Sequence, residues 1–203
     1  MSKLPNRSNP LLKLLAGIAI VLSLQSVSAL AENGAKSSFI ADMIGQLDRA
    51  KGQIISLAAA IPQNKLAWRP AEGVRSIGEV YVHIAGANYL FMSFAGVKPP
   101  IDMKQLMALE KNEGATTDKA KIAATLNASF DWTKNTLSTI TDADLEKTID
   151  MFGNKTSFRN ALITMFGHLH EHLGQSIAYA RSNGVVPPWT EEMQAQVKKS
   201  LNK

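Results

Sequence analysis

The chain has 203 residues, no cysteine and a formal net charge of +5, from 22 Lys and Arg against 17 Asp and Glu. Without cysteine the protein cannot form disulfides, thiolate zinc sites, iron–sulfur clusters or a cysteine nucleophile, so any metal must be bound by His, Asp or Glu. Three of the basic residues (Lys3, Arg7 and Lys13) precede the first acid, so the rest of the chain carries about +2 and offers no basic run for nucleic acid.

The first 31 residues have the composition of an export signal. A basic start is followed by an apolar run over residues 14–24, which is too short to span a bilayer comfortably. Ala29 and Ala31 then fit the −3 and −1 positions of a signal peptidase site. We predict cleavage after Ala31, which leaves residues 32–203 as a single periplasmic or secreted domain with no stable membrane anchor. An uncleaved N-terminal anchor is the alternative.

The domain begins with the pattern of a long helix and an ordered connector. Apolar residues recur at helical spacing over Ser38–Ala60. Pro62 marks the end of this helix, because the residue before a proline is pushed out of the α region. We expect the connector, residues 62–75, to be held in place by Leu66 and Trp68, which pack against the helices.

A second and a third helix follow, separated by a long crossing. An S-x-x-E capping box at Ser76 predicts the start of a helix over Ile77–Phe94. The polar crossing after it contains a short helical turn around residues 103–110. We predict that Thr117 caps the third helix, which ends near Ile140.

The last part of the chain predicts a hairpin and a fourth long helix. Residues 145–158 place β-branched and apolar residues on either side of an Asn- and Gly-containing turn, which favours a small hairpin. A helix over residues 160–182 and a short amphipathic tail over residues 191–201 follow. Four long helices predict an all-α four-helix bundle, and the long second-to-third connection favours a crossover.

The histidines are concentrated on two of these helices. His168 and His172 are spaced i and i+4, so they lie about 40° apart around the fourth helix and about 6 Å along it. Two imidazoles in that arrangement can bind one ion, and His83 on the second helix is the candidate for a third ligand. The alternatives remain open here: the pair also fits an exposed helix face, and a single His83 also fits a hydrogen-bonded core position. His170 is turned about 200° from the pair and is expected to face outward.

Two further residues of the fourth helix are candidates for a catalytic role. Glu171 is the neighbour of His172 on the helix and could reach the rim of the site as a proton acceptor. Gln175 follows His168 by two turns, so it shares the stripe and could hydrogen-bond a water or a substrate.

The pattern resembles the DinB/YfiT-like superfamily. The connector LAWRP at residues 66–70, the second helix leading to His83, and the motif H-x-x-x-H-x-G-Q from His168 to Gln175 carry this resemblance, which extends from about residue 39 to 188. It implies a four-helix bundle with a crossover and a divalent ion, most often nickel or zinc, bound by His83, His168 and His172. Relatives in that superfamily include thiol transferases, a thiol-dependent isomerase and suspected hydrolases, and its bundles often form homodimers. The chain departs from it at Glu171, where the family often has His.

Two functional hypotheses follow from these residues. The first is a metal-dependent enzyme of hydrolase or transferase type that acts on a small-molecule substrate, because three histidines leave coordination positions open. The second is a non-catalytic bundle that binds metal or a small ligand. A purely structural bundle without metal would require the three histidines to be far apart.

Overall fold

The computed structural model describes residues 38–111 and 117–201, so the predicted export signal at residues 1–31 lies outside the described residues. The elements in chain order are α1 (Ser38–Ala60), a 3-10 turn (Gln63–Lys65), α2 (Ile77–Phe94), α3 (Met103–Glu110), α4 (Lys119–Leu137), α5 (Asp142–Leu145), β1 (Thr148–Met151), β2 (Asn154–Ser157), α6 (Phe158–Ser182) and α7 (Pro188–Leu201). The predicted all-α four-helix bundle with a crossover and a small hairpin is confirmed, with α1, α2, α4 and α6 as its long helices. Among the helices described, none is both long enough and apolar enough to cross a bilayer.

Helix α2 is the central helix of the bundle. Of its 18 residues, 14 are buried, including polar Asn88 as well as apolar residues on every face. A helix buried on all sides must be surrounded by other elements, and α2 packs against α3, α4 and α6. The Ser76–Glu79 capping box that begins it is present as predicted. His83 is therefore held in the middle of the core.

Helix α1 is joined to α4 and α6 through both packing and charge. Lys134 of α4 forms an ion pair with Asp48 of α1 at 2.8 Å. The guanidinium of Arg159, in the first turn of α6, lies 4.9 Å from the ring centroid of Phe39. The three helices also share one buried apolar core. Helix α1 supplies Leu47, Ile54 and Leu57 to it, and α4 supplies Ile122, Leu126 and Phe130.

The prediction that Thr117 caps the third helix is wrong. The cap is Asp118, whose carboxylate accepts hydrogen bonds from the backbone N–H groups of Ala120 and Lys121. Either residue type can cap a helix, and an Asp adds a negative charge at the positive end of the helix dipole. The helix also ends earlier than expected, at Leu137, because the backbone then tightens into turns with i→i+3 hydrogen bonds as far as Ile140.

The last two helices begin earlier than the sequence indicates. Ser157 caps α6 by accepting a hydrogen bond from the N–H of Asn160, so the helix starts at Phe158. The tail helix α7 starts at Pro188 rather than at Glu191, because proline is well tolerated in a first helical turn, where its missing N–H is not needed.

The hairpin places an aromatic residue at its tip. Met151 pairs with Asn154, so β1 and β2 are joined by a two-residue turn of Phe152 and Gly153. Both turn residues have positive φ, 54° and 81°, as type I′ hairpins require. The Phe152 ring packs against Phe94 of α2 with centroids 4.7 Å apart, so the hairpin lies beside the C-terminal half of α2.

Candidate metal centre

Three histidines converge where α2 packs against α6. The Nε2 atom of His168 lies 3.0 Å from Nε2 of His83 and 3.1 Å from Nε2 of His172. One ring nitrogen from each residue lies within 4.8 Å of the others. The i,i+4 spacing on α6 brings His168 and His172 together. The packing of α2 against α6 adds His83 to this pair.

Burial favours the uncharged form of His168 and His172. It lowers the pKa of His168 to about 3, and the neighbouring His172 and His83 add to this effect. It also lowers the pKa of His172, although the hydrogen bond that His172 donates to Gln175 acts in the opposite direction. Neutral imidazole nitrogens are good ligands for divalent ions, and nitrogens about 2.0–2.1 Å from a tetrahedral ion lie about 3.3 Å from each other. The observed spacings therefore fit a divalent metal ion with little movement.

A chain of contacts from the connector fixes the orientation of His172. The Nδ1–H of His172 donates to Oε1 of Gln175 at 2.8 Å, and Nε2 of Gln175 donates to the hydroxyl of Tyr179 at 2.9 Å. The Trp68 ring packs edge-on against Tyr179, with centroids 5.3 Å apart. With its proton on Nδ1, His172 presents a free lone pair at Nε2. The amide of Gln175, which was expected to bind a water or a substrate, is thus occupied within the protein.

A carboxylate of α3 lies against the outer nitrogen of His83. Oε2 of Glu110 is 3.2 Å from Nδ1 of His83, and both side chains are almost fully buried. The angles are not those of a hydrogen bond, so neither Nδ1 of His83 nor Oε1 of Glu110 has a hydrogen-bond partner among the described residues. The sequence alone does not single out Glu110, because nothing in its local pattern shows that the short helix α3 folds back onto α2.

The histidine cluster opens onto a cavity of about 570 Å³. His83 and His168 form its polar floor, and the residues that line the rest of it are Ala87, Leu90, Phe91, Glu110, Phe152, Thr164, Gly167 and Glu171. Most of this wall is apolar, with one carboxylate from α3 and one from α6. An ion on the three histidines would therefore be reachable from the cavity by a small molecule.

The two remaining polar residues of the H-L-H-E-H stretch, His170 and Glu171, are not part of the cluster. His170 is exposed, and its Nδ1 lies 2.9 Å from the carbonyl oxygen of Phe166 on its own helix. Glu171 is exposed and lines the cavity. Of these two residues, Glu171 is the one placed to meet a molecule that enters.

Comparison with known proteins identifies the family. A sequence model described as the DinB superfamily matches residues 46–176. A DinB-like protein from Bacillus cereus is 23% identical, with a TM-score of 0.61 over 72% of this chain and 93% of that one. YfiT from Bacillus subtilis, described as a probable metal-dependent hydrolase with an unusual four-helix bundle topology, is 16% identical, with a TM-score of 0.59 over 75% of this chain and 92% of that one.

A conserved protein from Enterococcus faecalis is 19% identical, with a TM-score of 0.61 over 73% of this chain and 97% of that one. At these identities the structural similarities establish the fold alone. No curated protein matches the chain. The family match covers more than half of the 203 residues and includes His83, His168 and His172, so the chain belongs to the DinB superfamily.

Proposed function

We propose that this protein is an exported, metal-dependent hydrolase of small molecules, with zinc or nickel as its ion. The observation that carries the proposal is the convergence of three imidazoles, two of which (His83 and His168) line a cavity that a small molecule can enter. Three protein ligands are typical of catalytic rather than structural zinc sites, which use four. The description of YfiT as a probable metal-dependent hydrolase is consistent with this function.

Each residue of the site has a distinct task in such a reaction. A bound ion supplies Lewis acidity at the cavity floor. His83, His168 and His172 hold it, while Gln175 keeps the proton of His172 on Nδ1. Glu171 is placed on the cavity wall, where its carboxylate accepts a proton from an attacking water. The apolar wall excludes bulk water and strengthens the electrostatic interactions at the floor.

Elemental analysis of tag-free protein tests the metal part of the proposal. The wild type is expected to hold metal stoichiometrically, and the double variant His168→Ala/His172→Ala is expected to lose it. His170→Ala is the matched control, because His170 is on the same helix but outside the cluster. Equal metal content in all three proteins would overturn the site.

Hydrolysis of a panel of nitrophenyl esters tests the catalytic part. We expect activity that requires the ion and that falls in Glu171→Gln at unchanged metal content. The predominantly apolar wall of the cavity also suits a non-catalytic binder, and a protein that holds metal but hydrolyses no member of the panel would favour that second function.

The export part has its own measurement. When the full chain is produced in a bacterial host, N-terminal sequencing of the protein from the periplasmic fraction should begin at Glu32. Retention of the intact N-terminus in the membrane fraction would favour the uncleaved anchor instead.

A further inference from the structure

Phe152 has a backbone conformation that is unfavourable for an aromatic residue. Its φ of 54° lies in the left-handed region, where a bulky side chain is strained and where Asn or Gly is usual in a type I′ turn. Its side chain is 65% exposed, so burial offsets little of that strain. A strained, exposed aromatic residue is a reason to look for a role in binding.

The ring of Phe152 is connected to the metal centre through Phe91. The two rings are perpendicular, with centroids 6.4 Å apart, and the Phe91 ring lies 5.5 Å from the ring of His168. Phe91, Phe152, Ala87 and Leu90 all line the cavity. A molecule that reaches the histidines therefore passes along a continuous apolar wall with an aromatic residue at its outer end.

The charged groups of the cavity are of one sign. Glu110 and Glu171 line it, and no Lys or Arg does so among the residues described. The nearby Arg75 donates from Nη2 to the backbone carbonyl of Glu110 at 3.5 Å and is not part of the wall. Carboxylates around a largely apolar site repel a second anionic group on a ligand.

We propose that the substrate carries an aromatic or bulky alkyl group that packs against Phe91 and Phe152, and that it has no anionic group beyond the one that meets the ion. This inference rests on the proposed function, because it assigns the substrate class of the same site. The hairpin tip is then a specificity element, and Phe152 is retained at an unfavourable φ because it contacts the substrate.

Titration of the zinc-loaded protein with three hydroxamates tests the proposal, since all three share one metal-binding group. Benzohydroxamate should bind about tenfold or more tightly than acetohydroxamate, because its phenyl ring is buried against the wall. The 4-carboxy derivative of benzohydroxamate should bind roughly threefold or more weakly than benzohydroxamate itself. Isothermal titration calorimetry measures all three affinities without any turnover.

Phe152→Asn isolates the contribution of the hairpin tip. We expect the preference for the phenyl group to fall about three- to tenfold, with acetohydroxamate binding unchanged. The thermal midpoint should not fall, because Asn is well tolerated at positive φ. Val197→Asn is the matched control: Val197 is 52% exposed and lies on α7, outside the cavity wall, so the preference should remain.

Two results would overturn the inference while leaving the metal site and the hydrolase proposal in place. One is equal affinity for acetohydroxamate and benzohydroxamate in the zinc-loaded wild type. The other is a phenyl preference that Phe152→Asn does not reduce. A protein that holds neither zinc nor nickel would overturn the inference and the proposed function together.

Discussion

Gly86 should control the metal site without contacting it. A Cβ atom at this position of α2 would lie 2.6 Å from Oε1 of Glu110 and 3.0 Å from Cβ of Leu109. The absence of a side chain thus lets α3 approach α2 closely enough for Glu110 to reach Nδ1 of His83. In Gly86→Ala the added methyl group must displace that carboxylate, since 2.6 Å is shorter than any normal contact to a Cβ.

Gly86→Ala should change both the stability of the fold and the affinity for metal. Alanine in a helix interior stabilises by about 1 kcal/mol relative to glycine, while overpacking costs about 1–3 kcal/mol. The net change in the free energy of unfolding for Gly86→Ala should therefore be small, a loss of up to about 2 kcal/mol. Metal binding should weaken about 10- to 100-fold, the usual cost of losing a residue that orients a ligand.

The assay compares Gly86→Ala with two reference variants by competitive zinc titration and urea unfolding. Glu110→Gln keeps the size of the side chain but removes the charge, and it should weaken zinc binding to a similar extent as Gly86→Ala. Gly52→Ala places the same change in α1, where an added Cβ meets nothing within 4 Å. It should gain about 1 kcal/mol of stability and leave zinc affinity unchanged.

Two outcomes of the zinc titration would contradict this expectation. If Gly86→Ala binds zinc as tightly as the wild type while Glu110→Gln does not, the carboxylate tolerates the methyl group and the close approach of α3 is irrelevant to the site. Wild-type zinc affinity in both variants would show that Glu110 does not orient His83 at all.

Three further predictions follow from individual residues. Burial lowers the pKa of His168 from its ordinary 6.5 to about 3. Between these two pH values the unfolded chain binds a proton at His168 that the folded chain does not, so protonation favours unfolding. The urea midpoint of the metal-free protein should therefore fall as the pH drops from about 6.5 towards 3, and it should fall less steeply in His168→Gln. A midpoint with no dependence over that range would contradict this. Gln175→Leu removes the acceptor of the His172 Nδ1–H and should weaken zinc binding about tenfold or more in the same titration, whereas an unchanged affinity would show that the amide does not set the orientation of the ring. Asp118→Ala should lose about 1 kcal/mol of stability and Thr117→Ala almost none, and the reverse order would restore Thr117 as the cap.

The predictable part of the fold is the part encoded by neighbouring residues. The bounds of α1 and α2 agree with the sequence pattern because a proline ends the first helix and the Ser76 box begins the second. The hairpin is also a local feature. The cap of α4 was misplaced by one residue, since Thr117 and Asp118 are both competent caps and only the backbone geometry decides between them.

In the candidate site, too, relations between residues of one helix could be predicted from the sequence, whereas a contact between distant elements could not. His168 and His172 are linked by their spacing on one helix, and His83 is the one histidine on another helix. Gln175 is predicted from its stripe with His168 to meet a water or a substrate, and its i,i+3 relation to His172 also allows the hydrogen bond that the structure contains. Glu110 could not be found, because its contact depends on how α3 returns across α2.

Helix α3, in the connection between α2 and α4, is therefore part of the site. Helices α2 and α6 supply the three imidazoles, and they pack directly against each other in the bundle core. Helix α3 adds Glu110, whose carboxylate lies 3.2 Å from Nδ1 of His83 and forms part of the cavity wall. The hairpin adds Phe152 at the outer end of the same wall. Substitutions within the bundle core should consequently change metal affinity and stability together, whereas substitutions at the hairpin tip should change ligand preference with metal affinity preserved.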